Sequence, residues 1–454
     1  MFGKYGSSYI GKQQTMDGHI ICIGTPGSGK SSAVAIPTLH MWTGAIFAID
    51  IKGELIKKAP YRYGRCVMDP YDNNSYGYDS FEILCLASGD EFSHALNDIS
   101  FSIIPEGKDE DKFWEQSSRR FLAGAYSWAF YNCKSFIAIN VEIYSRSTDG
   151  LVSEIMASSC ETAKAHMRHV QELSDKTRVS VLENVLNAIE LFATDSVVQR
   201  LLTRKKTINP DMLLQGNQIF LEIPEVRLEN WRALTGMLVN QFFHAMTKFP
   251  EDNPVQTLIL LDEFPQLGKA KAVVNGMATL RSKGCTVCLL MQSYSQLDNT
   301  YGQITRKIIT DNAAYKLILS VMDPGTAQEV SAMVGQHYRT DITVNEHGAF
   351  GIRQTSSGRS KRLTDIIRPA ELKILAKKHY CCRHTGFADL KRHIISRRDF
   401  EMNKRKGVYL IKDGKFFPEA GDDIRFHFRK EECCMYWSGK CPVVKEPGGT
   451  ATGI

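Results

Sequence analysis

His19-Ile20-Ile21-Cys22-Ile23-Gly24-Thr25-Pro26-Gly27-Ser28-Gly29-Lys30-Ser31-Ser32 is the stretch on which the fold turns. An apolar run of strand length, residues 19–24, feeds a glycine-rich turn, and helix-compatible sequence follows from Ser32. Gly24 through Ser31 fits G-x-x-x-x-G-K-[ST] at each fixed position. Chemistry explains these residue types. Glycines let successive backbone N–H groups converge on one centre, a helix N-terminus adds positive potential, and Lys30 reaches the β- and γ-phosphates of a nucleotide. Ser31 would ligate Mg²⁺. The expected nucleotide-binding residues are therefore Gly24, Thr25, Pro26, Gly27, Ser28, Gly29, Lys30, Ser31 and Ser32. A glycine-rich turn with a chance lysine is the alternative, and it leaves the flanking strand and helix unexplained.

Further apolar runs of the buried, parallel-sheet kind follow at residues 45–49, 65–68, 218–223, 257–261, 286–291 and 315–319. Several end at polar or charged residues, where an open α/β sheet places its chemistry. From about Ser88 to Lys206 the periodicity is helical instead, as in residues 113–131 and 179–192, which predicts an all-α domain inserted after the third strand. The expected division is a nucleotide-binding domain over 1–87, the helical insertion over 88–206, the rest of the nucleotide-binding domain over 207–398, and a C-terminal extension over 399–454. In that extension Gly407–Phe417 reads as a β-hairpin turning at Asp413-Gly414.

The run Thr257–Leu261 delivers two adjacent carboxylates, as a Walker B strand does. Asp262 would hold the Mg²⁺ shell, and Glu263 would orient and activate the attacking water. An acidic turn after an ordinary strand is the bland reading, and the upstream phosphate loop argues against it. Glutamate after the aspartate favours hydrolysis over transfer to a small acceptor and makes a P-loop kinase improbable. Gln292, at the end of the next strand, is placed to sense the γ-phosphate or the water. Arg281 sits at a helix end before that strand, where an arginine can reach a neighbouring subunit's nucleotide, although a solvated helix cap is the simpler role.

With 454 residues, 43% hydrophobic and 23% charged, the chain is long and apolar enough for a real core, which excludes disordered, collagenous and small disulfide-stapled classes. No stretch approaches the roughly 20 apolar residues of a membrane span, and the start carries no export signal, so the expected setting is intracellular with reduced thiols. A net charge of +6 decides little by itself. The basic runs 391–406 and 358–362 are candidates for phosphate contact, or solvated faces. Among the 12 cysteines, Cys285 and Cys288 would point to opposite faces of a strand, whereas Cys381, Cys382 with His384, and Cys433, Cys434 with Cys441, are weak zinc candidates.

Taken in order, these motifs resemble the type IV coupling proteins, the TraG/TraD-like ATPases of conjugative DNA transfer. The resemblance covers roughly residues 19–385. It rests on the phosphate loop running into Ala35-Ile36-Pro37-Thr38-Leu39, on Asp50-Ile51-Lys52-Gly53-Glu54, Met68-Asp69-Pro70 and Lys112-Phe113-Trp114, on Leu261 through Gly268, and on Leu280-Arg281-Ser282-Lys283-Gly284. Met291-Gln292-Ser293-Tyr294-Ser295-Gln296-Leu297 before Tyr301-Gly302 completes it. The Lys-Gly-Glu turn and this last block are particular to the family. The resemblance implies an α/β, RecA-like P-loop NTPase sheet with an inserted all-α domain, using ATP and Mg²⁺ and working as a homo-hexamer. It implies a cytoplasmic position at the inner face of the plasma membrane, and partners comprising single-stranded DNA, a relaxase or secreted proteins, and the secretion channel. Lys30, Ser31, Asp262, Glu263, Gln292 and Arg281 would take the roles given above. Family members usually begin with membrane-spanning helices, which this chain lacks, so a soluble, split or truncated form is expected. A double-stranded DNA translocase and a weakly hydrolysing cargo-docking platform are the alternatives.

Overall fold

The computed structural model describes residues 18–85, 87–105, 112–349, 352–365 and 368–373, with short strands at 3–5, 8–10, 411–412, 415–416, 426–429, 434–437 and 443–444. The main strands in chain order are β1 (Ile20–Ile23), β2 (Ala45–Asp50), β3 (Arg65–Met68), β4 (Gln218–Glu222), β5 (Thr257–Leu261), β6 (Cys285–Met291) and β7 (Tyr315–Ile318). Each lies within a residue or two of its apolar run, because β-branched and aromatic side chains buried on both faces suit a sheet covered by helices. The chain divides into two compact units.

The helix-rich unit comprises Trp42–Leu289 and Asn299–Asn312. Its strands pair in parallel in the order β3-β4-β2-β5-β6. All six residues of the central β2 are buried, and Phe47 stacks on Phe242 with ring centroids 4.3 Å apart. Burying such a side chain contributes roughly 1.5–3 kcal/mol. Register aligns Asp50 with Glu222 and Ile49 with Leu261, so the polar residues of three strands emerge at one carboxyl end.

Between β3 and β4 the described residues contain helices and no strand longer than the isolated bridge Gly77 to Thr207. Preceded by α1 (Ile36–Met41) and α2 (Glu54–Lys58), they are α3 (Glu82–Cys85), α4 (Asp90–Ile103), α5 (Lys112–Tyr131), α6 (Phe136–Ser145), α7 (Thr148–Ala157), α8 (Glu161–Gln171), α9 (Asp175–Thr194) and α10 (Ser196–Leu202). The long, apolar α5 is the axis, packed by α4, α8 and α9. Tyr126 on α5 donates from its hydroxyl to Asn140 at 3.0 Å, and Phe136 meets Phe192 edge-on at 5.0 Å. Asp195 ties the segment's end to the strand domain, accepting from Trp231 Nε1 at 3.2 Å and facing Arg227 at 3.6 Å. Then follow α11 (Arg232–Thr247), which carries Phe242, α12 (Lys271–Thr279), α13 (Tyr294–Tyr301) and α14 (Gln303–Asn312).

The phosphate-loop unit comprises Met1–Met41, Leu290–Asp298 and Ala313–Ile454. In it β1 pairs in parallel with β7, Ile20 to Tyr315 through Ile23 to Ile318, and α15 (Pro324–Val334) follows β7. A two-stranded arm comes next: β8 (Gln336–Ala349) runs antiparallel to β9 (Ile352–Asp365). At about 3.3 Å per residue each arm strand is roughly 45 Å long. The basic run 358–362 lies on β9, where Ser360, Lys361 and Arg362 are exposed. Ile411–Lys412 pairs antiparallel with Lys415–Phe416 across Asp413-Gly414; the remainder of Gly407–Phe417 is outside the described residues, as are Cys381, Cys382, His384, Cys433, Cys441 and the basic run 391–406. No helix among the described residues is long and apolar enough to cross a membrane.

Candidate functional site

The phosphate loop begins where β1 ends. Gly24 donates its N–H to the Met291 carbonyl at 3.0 Å, and Ser28 donates to the Thr25 carbonyl at 3.0 Å, closing the turn. Gly27 and Gly29 hold φ of 72° and 98°, which side-chain-bearing residues rarely adopt. A Cβ at Gly24 would stand 2.2 Å from Ser28 Oγ, so the cradle needs glycine there. Lys30 is buried, and its ammonium donates to the Gly24 carbonyl at 2.7 Å, folding back across the turn. Ser28 Oγ is buried with no hydrogen-bond partner. A buried hydroxyl of this kind costs about 1–3 kcal/mol unless something satisfies it. A glycine-rich turn at a strand's end, a buried cation and an unsatisfied hydroxyl together fit an anionic phosphate group.

The helical run after the loop starts at Lys30, two residues before the expected point. Its first six residues, Lys30–Ala35, are wound as π-helix before α1 begins at Ile36. Such wide turns are frequent at functional sites. Ser31 is half-buried and Ser32 exposed.

Two residues from β7's end complete the loop's setting, and the sequence reading missed them. Ser320, fully buried, accepts from the Thr25 N–H at 3.1 Å, and its Oγ lies 2.6 Å from Thr25 Oγ1. Asp323 caps α15, accepting from the Thr326 N–H at 2.7 Å and from the hydroxyls of Thr326 and Ser295 at 2.6 and 2.9 Å. Burial opposes its ionisation, but these bonds hold its carboxyl below the ordinary aspartate value. Asp323 thereby clamps the start of α13 next to Gln292, which is half-buried and donates its backbone N–H to Gln296 Oε1 at 3.2 Å. The Thr-Ser and Asp-Ser pairs are separated by 295 and 28 positions, so local spacing carried no signal of them.

In the helix-rich unit, Asp262 and Glu263 follow the end of β5, both buried. Glu263 sits in the left-handed region, φ 45° and ψ 43°, a conformation costing a non-glycine residue about 1–3 kcal/mol. Its N–H is held by Asp262 Oδ1 at 3.1 Å and its carbonyl by the Gln266 N–H at 2.8 Å. Arg281 is exposed in the turn after α12, whose last residue is Thr279. Across β2, Asp50 is fully buried and accepts from the N–H groups of Ile56 and Lys52 at 2.8 and 3.2 Å. Burial raises its carboxyl above the ordinary value while these backbone bonds oppose the shift. Glu222 beside it is raised by burial, then by the charges of Asp69 and Asp50, with Lys57 opposing. A Cβ at Gly53 would come within 3.0 Å of Glu222 Oε1, and its φ is 64°, which accounts for the glycine of the Lys-Gly-Glu turn.

Cys285 and Cys288 are both buried on β6. Burial pushes the Cys285 thiol up to about 12. Among the described residues no group of three or more His, Cys, Asp or Glu is arranged to hold a metal ion.

Residues 2–393 match the family described as type IV secretory system conjugative DNA transfer. Protein VirD4 of Rhizobium rhizogenes is 22% identical over 397 residues, covering 79% of this chain and 55% of that protein. Conjugal transfer protein TraG of Escherichia coli is 23% identical over 415 residues, covering 80% of this chain and 63% of that protein. The chain thus spans between half and two thirds of the length of these relatives. Among solved structures, the plasmid coupling protein TrwB in complex with a non-hydrolysable GTP analogue superposes with a TM-score of 0.61 at 16% identity, over 94% of this chain and 85% of that one. TrwB in complex with ADP and Mg²⁺ gives 0.60 at 18% identity, over 82% and 88%. These likenesses show the α/β, RecA-like fold.

Proposed function

The chain belongs to the type IV secretory system conjugative DNA transfer family, and from that premise we propose that it is an ATP-hydrolysing coupling motor. On this reading it recruits relaxase-bound single-stranded DNA, or protein substrates, to a type IV secretion channel at the inner face of the membrane. It acts as a homo-hexamer, with residues 88–206 as an inserted domain that reads cargo. The observation that carries the reading is the phosphate loop, formed with Lys30 buried across it and Ser28 Oγ left unsatisfied.

The roles follow from chemistry. Lys30 exchanges the Gly24 carbonyl for the β- and γ-phosphates of ATP, and the loop amides and Ser28 hydroxyl supply further donors. Ser31 and Asp262 are oxygen donors suited to Mg²⁺, which when bound neutralises charge on the transferring phosphate. Glu263 takes a proton from the attacking water, and its left-handed backbone fixes the direction from which it does so. Gln292 senses the γ-phosphate, and the exposed Arg281 serves a neighbouring subunit's nucleotide.

ATP hydrolysis by the purified chain, measured alone, with single-stranded DNA and with double-stranded DNA, tests this. Stimulation by single strands is expected, with Glu263→Gln retaining ATP binding and losing turnover by about a hundredfold or more. Preference for duplex would favour the double-stranded translocase. ATP binding without any DNA effect would move the reading to the docking platform.

A further inference from the structure

From the last two residues of α2 to the first of β3 the chain reads Lys57-Lys58-Ala59-Pro60-Tyr61-Arg62-Tyr63-Gly64-Arg65, with four cations and no acid in nine residues. Its ends are fastened. Ala59 donates to the Leu55 carbonyl at 2.8 Å, the Gly64 carbonyl accepts from the Gln218 N–H at 3.1 Å, and Gly64, at φ 81°, lies against Asn217 where a Cβ would come within 2.9 Å. Arg65 lies over the Phe220 ring at 5.0 Å and donates to the Ile56 carbonyl. Between these fixed ends stand two exposed residues: Tyr61 is 84% and Tyr63 102% exposed.

Single exposed apolar side chains are ordinary. Two aromatic rings alternating with an arginine on an anchored turn, next to exposed Lys57 and Lys58, are a different feature. Lys58 has a neighbour in Glu54, but at 3.9 Å with both side chains about half exposed, a pair that contributes little. Position matters as well. The turn leads into the amino end of β3, whereas Asp50, Glu222 and Asp262 stand at the carboxyl ends of neighbouring strands in the same unit. The Tyr61-Arg62-Tyr63 turn is therefore set towards the amino end of the sheet, whereas the charge of Lys57 reaches Glu222 and offsets part of the acidity there.

We propose that the Tyr61-Arg62-Tyr63 turn is a stacking platform for single-stranded nucleic acid, with bases laid on the two rings and backbone phosphates met by Lys57, Lys58 and Arg62. Every base has a flat face, so such a platform grips a strand without reading its sequence. A duplex, whose bases are already stacked, gains only the phosphate contacts. The platform rests on the DNA-transfer reading above and adds to it a place on the surface.

Binding of a fluorescein-labelled oligothymidylate to the full chain, followed by anisotropy, tests it. Tyr61→Ala with Tyr63→Ala is expected to weaken binding about tenfold or more while leaving the salt dependence unchanged, because the phosphate contacts remain. Tyr61→Phe with Tyr63→Phe should bind as the unaltered chain does, and Lys57→Ala with Lys58→Ala should flatten the salt dependence. ATP hydrolysis without DNA should be the same in all of them. If the unaltered chain binds and the double alanine variant binds as tightly, the platform is wrong and the DNA-transfer reading stands. If the unaltered chain hydrolyses ATP but binds no strand, both fall. If the alanine variant keeps its affinity but sediments as a smaller assembly, the turn is a subunit contact and the platform is overturned.

Discussion

Glu263 is a glutamate where the backbone asks for glycine. At φ 45° it carries a Cβ in a region that L-residues avoid, one residue beyond a strand whose five residues are all buried. Strain of this kind persists when the position serves something other than stability. The comparison that isolates it is between two variants that both lack the carboxylate. Glu263→Gly is expected to unfold at a higher urea midpoint than Glu263→Ala, by about 1 kcal/mol, because only glycine takes the left-handed conformation freely. In an ordinary helical position the order would be reversed. Both variants should lose hydrolysis. Equal midpoints would mean that the turn relaxes around alanine and stores nothing. Nothing in the run Thr257-Leu258-Ile259-Leu260-Leu261-Asp262-Glu263 announced this backbone. The adjacent carboxylates were legible as chemistry, whereas the conformation is set by the downstream turn, in which Gln266 folds back to bond the Glu263 carbonyl.

At the scale of elements, the crossing of α5 and α8 depends on one missing side chain. A Cβ at Gly124 would lie 3.0 Å from Met167 Cε, 3.1 Å from His166 Cβ and 3.2 Å from the Ala163 carbonyl oxygen. Methionine gives way and backbone does not. Gly124→Ala is expected to be nearly neutral, its helix propensity offsetting the contact, whereas Gly124→Val should cost about 2 kcal/mol in chemical denaturation through overpacking. The strand ends permit a second test. Glu222 is raised by burial and by the charges of Asp69 and Asp50, so the folded chain binds its proton more tightly than the unfolded chain does. Its contribution therefore favours folding increasingly as pH falls from neutrality through the raised value, and the gain is complete below the ordinary carboxylate value near 4. Glu222→Gln should then be the more stable chain at pH about 7, by at most about 1 kcal/mol for this partly exposed group, with the difference shrinking towards pH about 4. A difference that grew on acidification would show the carboxylate to be favourably paired. Elements with strong apolar periodicity, such as β2, β5 and α5, were legible in the sequence because their burial is written into every residue or every third and fourth. The arm of β8 and β9 was not. Thr340-Asp341-Ile342-Thr343-Val344-Asn345-Glu346 and Gln354-Thr355-Ser356-Ser357-Gly358 carry too few apolar residues to mark a face, and the pairing with the other arm strand that makes them strands leaves no local pattern in the sequence.

For the whole molecule, the consequence of the phosphate loop is thermodynamic before it is kinetic. A ligand that binds only the folded chain stabilises it by about 2.7 kcal/mol when present at a hundred times its dissociation constant. The free loop is poised for such a gain, because Ser28 Oγ is buried without a partner and Lys30 is occupied by a carbonyl that a phosphate would outcompete. Heating the chain with saturating ATP and Mg²⁺ should therefore raise its unfolding temperature by a few degrees. Lys30→Ala should abolish the rise, because the cation that answers the phosphates is gone. Glu263→Gln should keep it, since a group that acts on water contributes to turnover and not to ground-state affinity. The pairing of these two variants separates holding the nucleotide from hydrolysing it. If both abolished the rise, Glu263 would belong to the binding machinery and its role as base would be lost. If neither did, the loop would not be the nucleotide site, and the position of Lys30 across Gly24 would be structural.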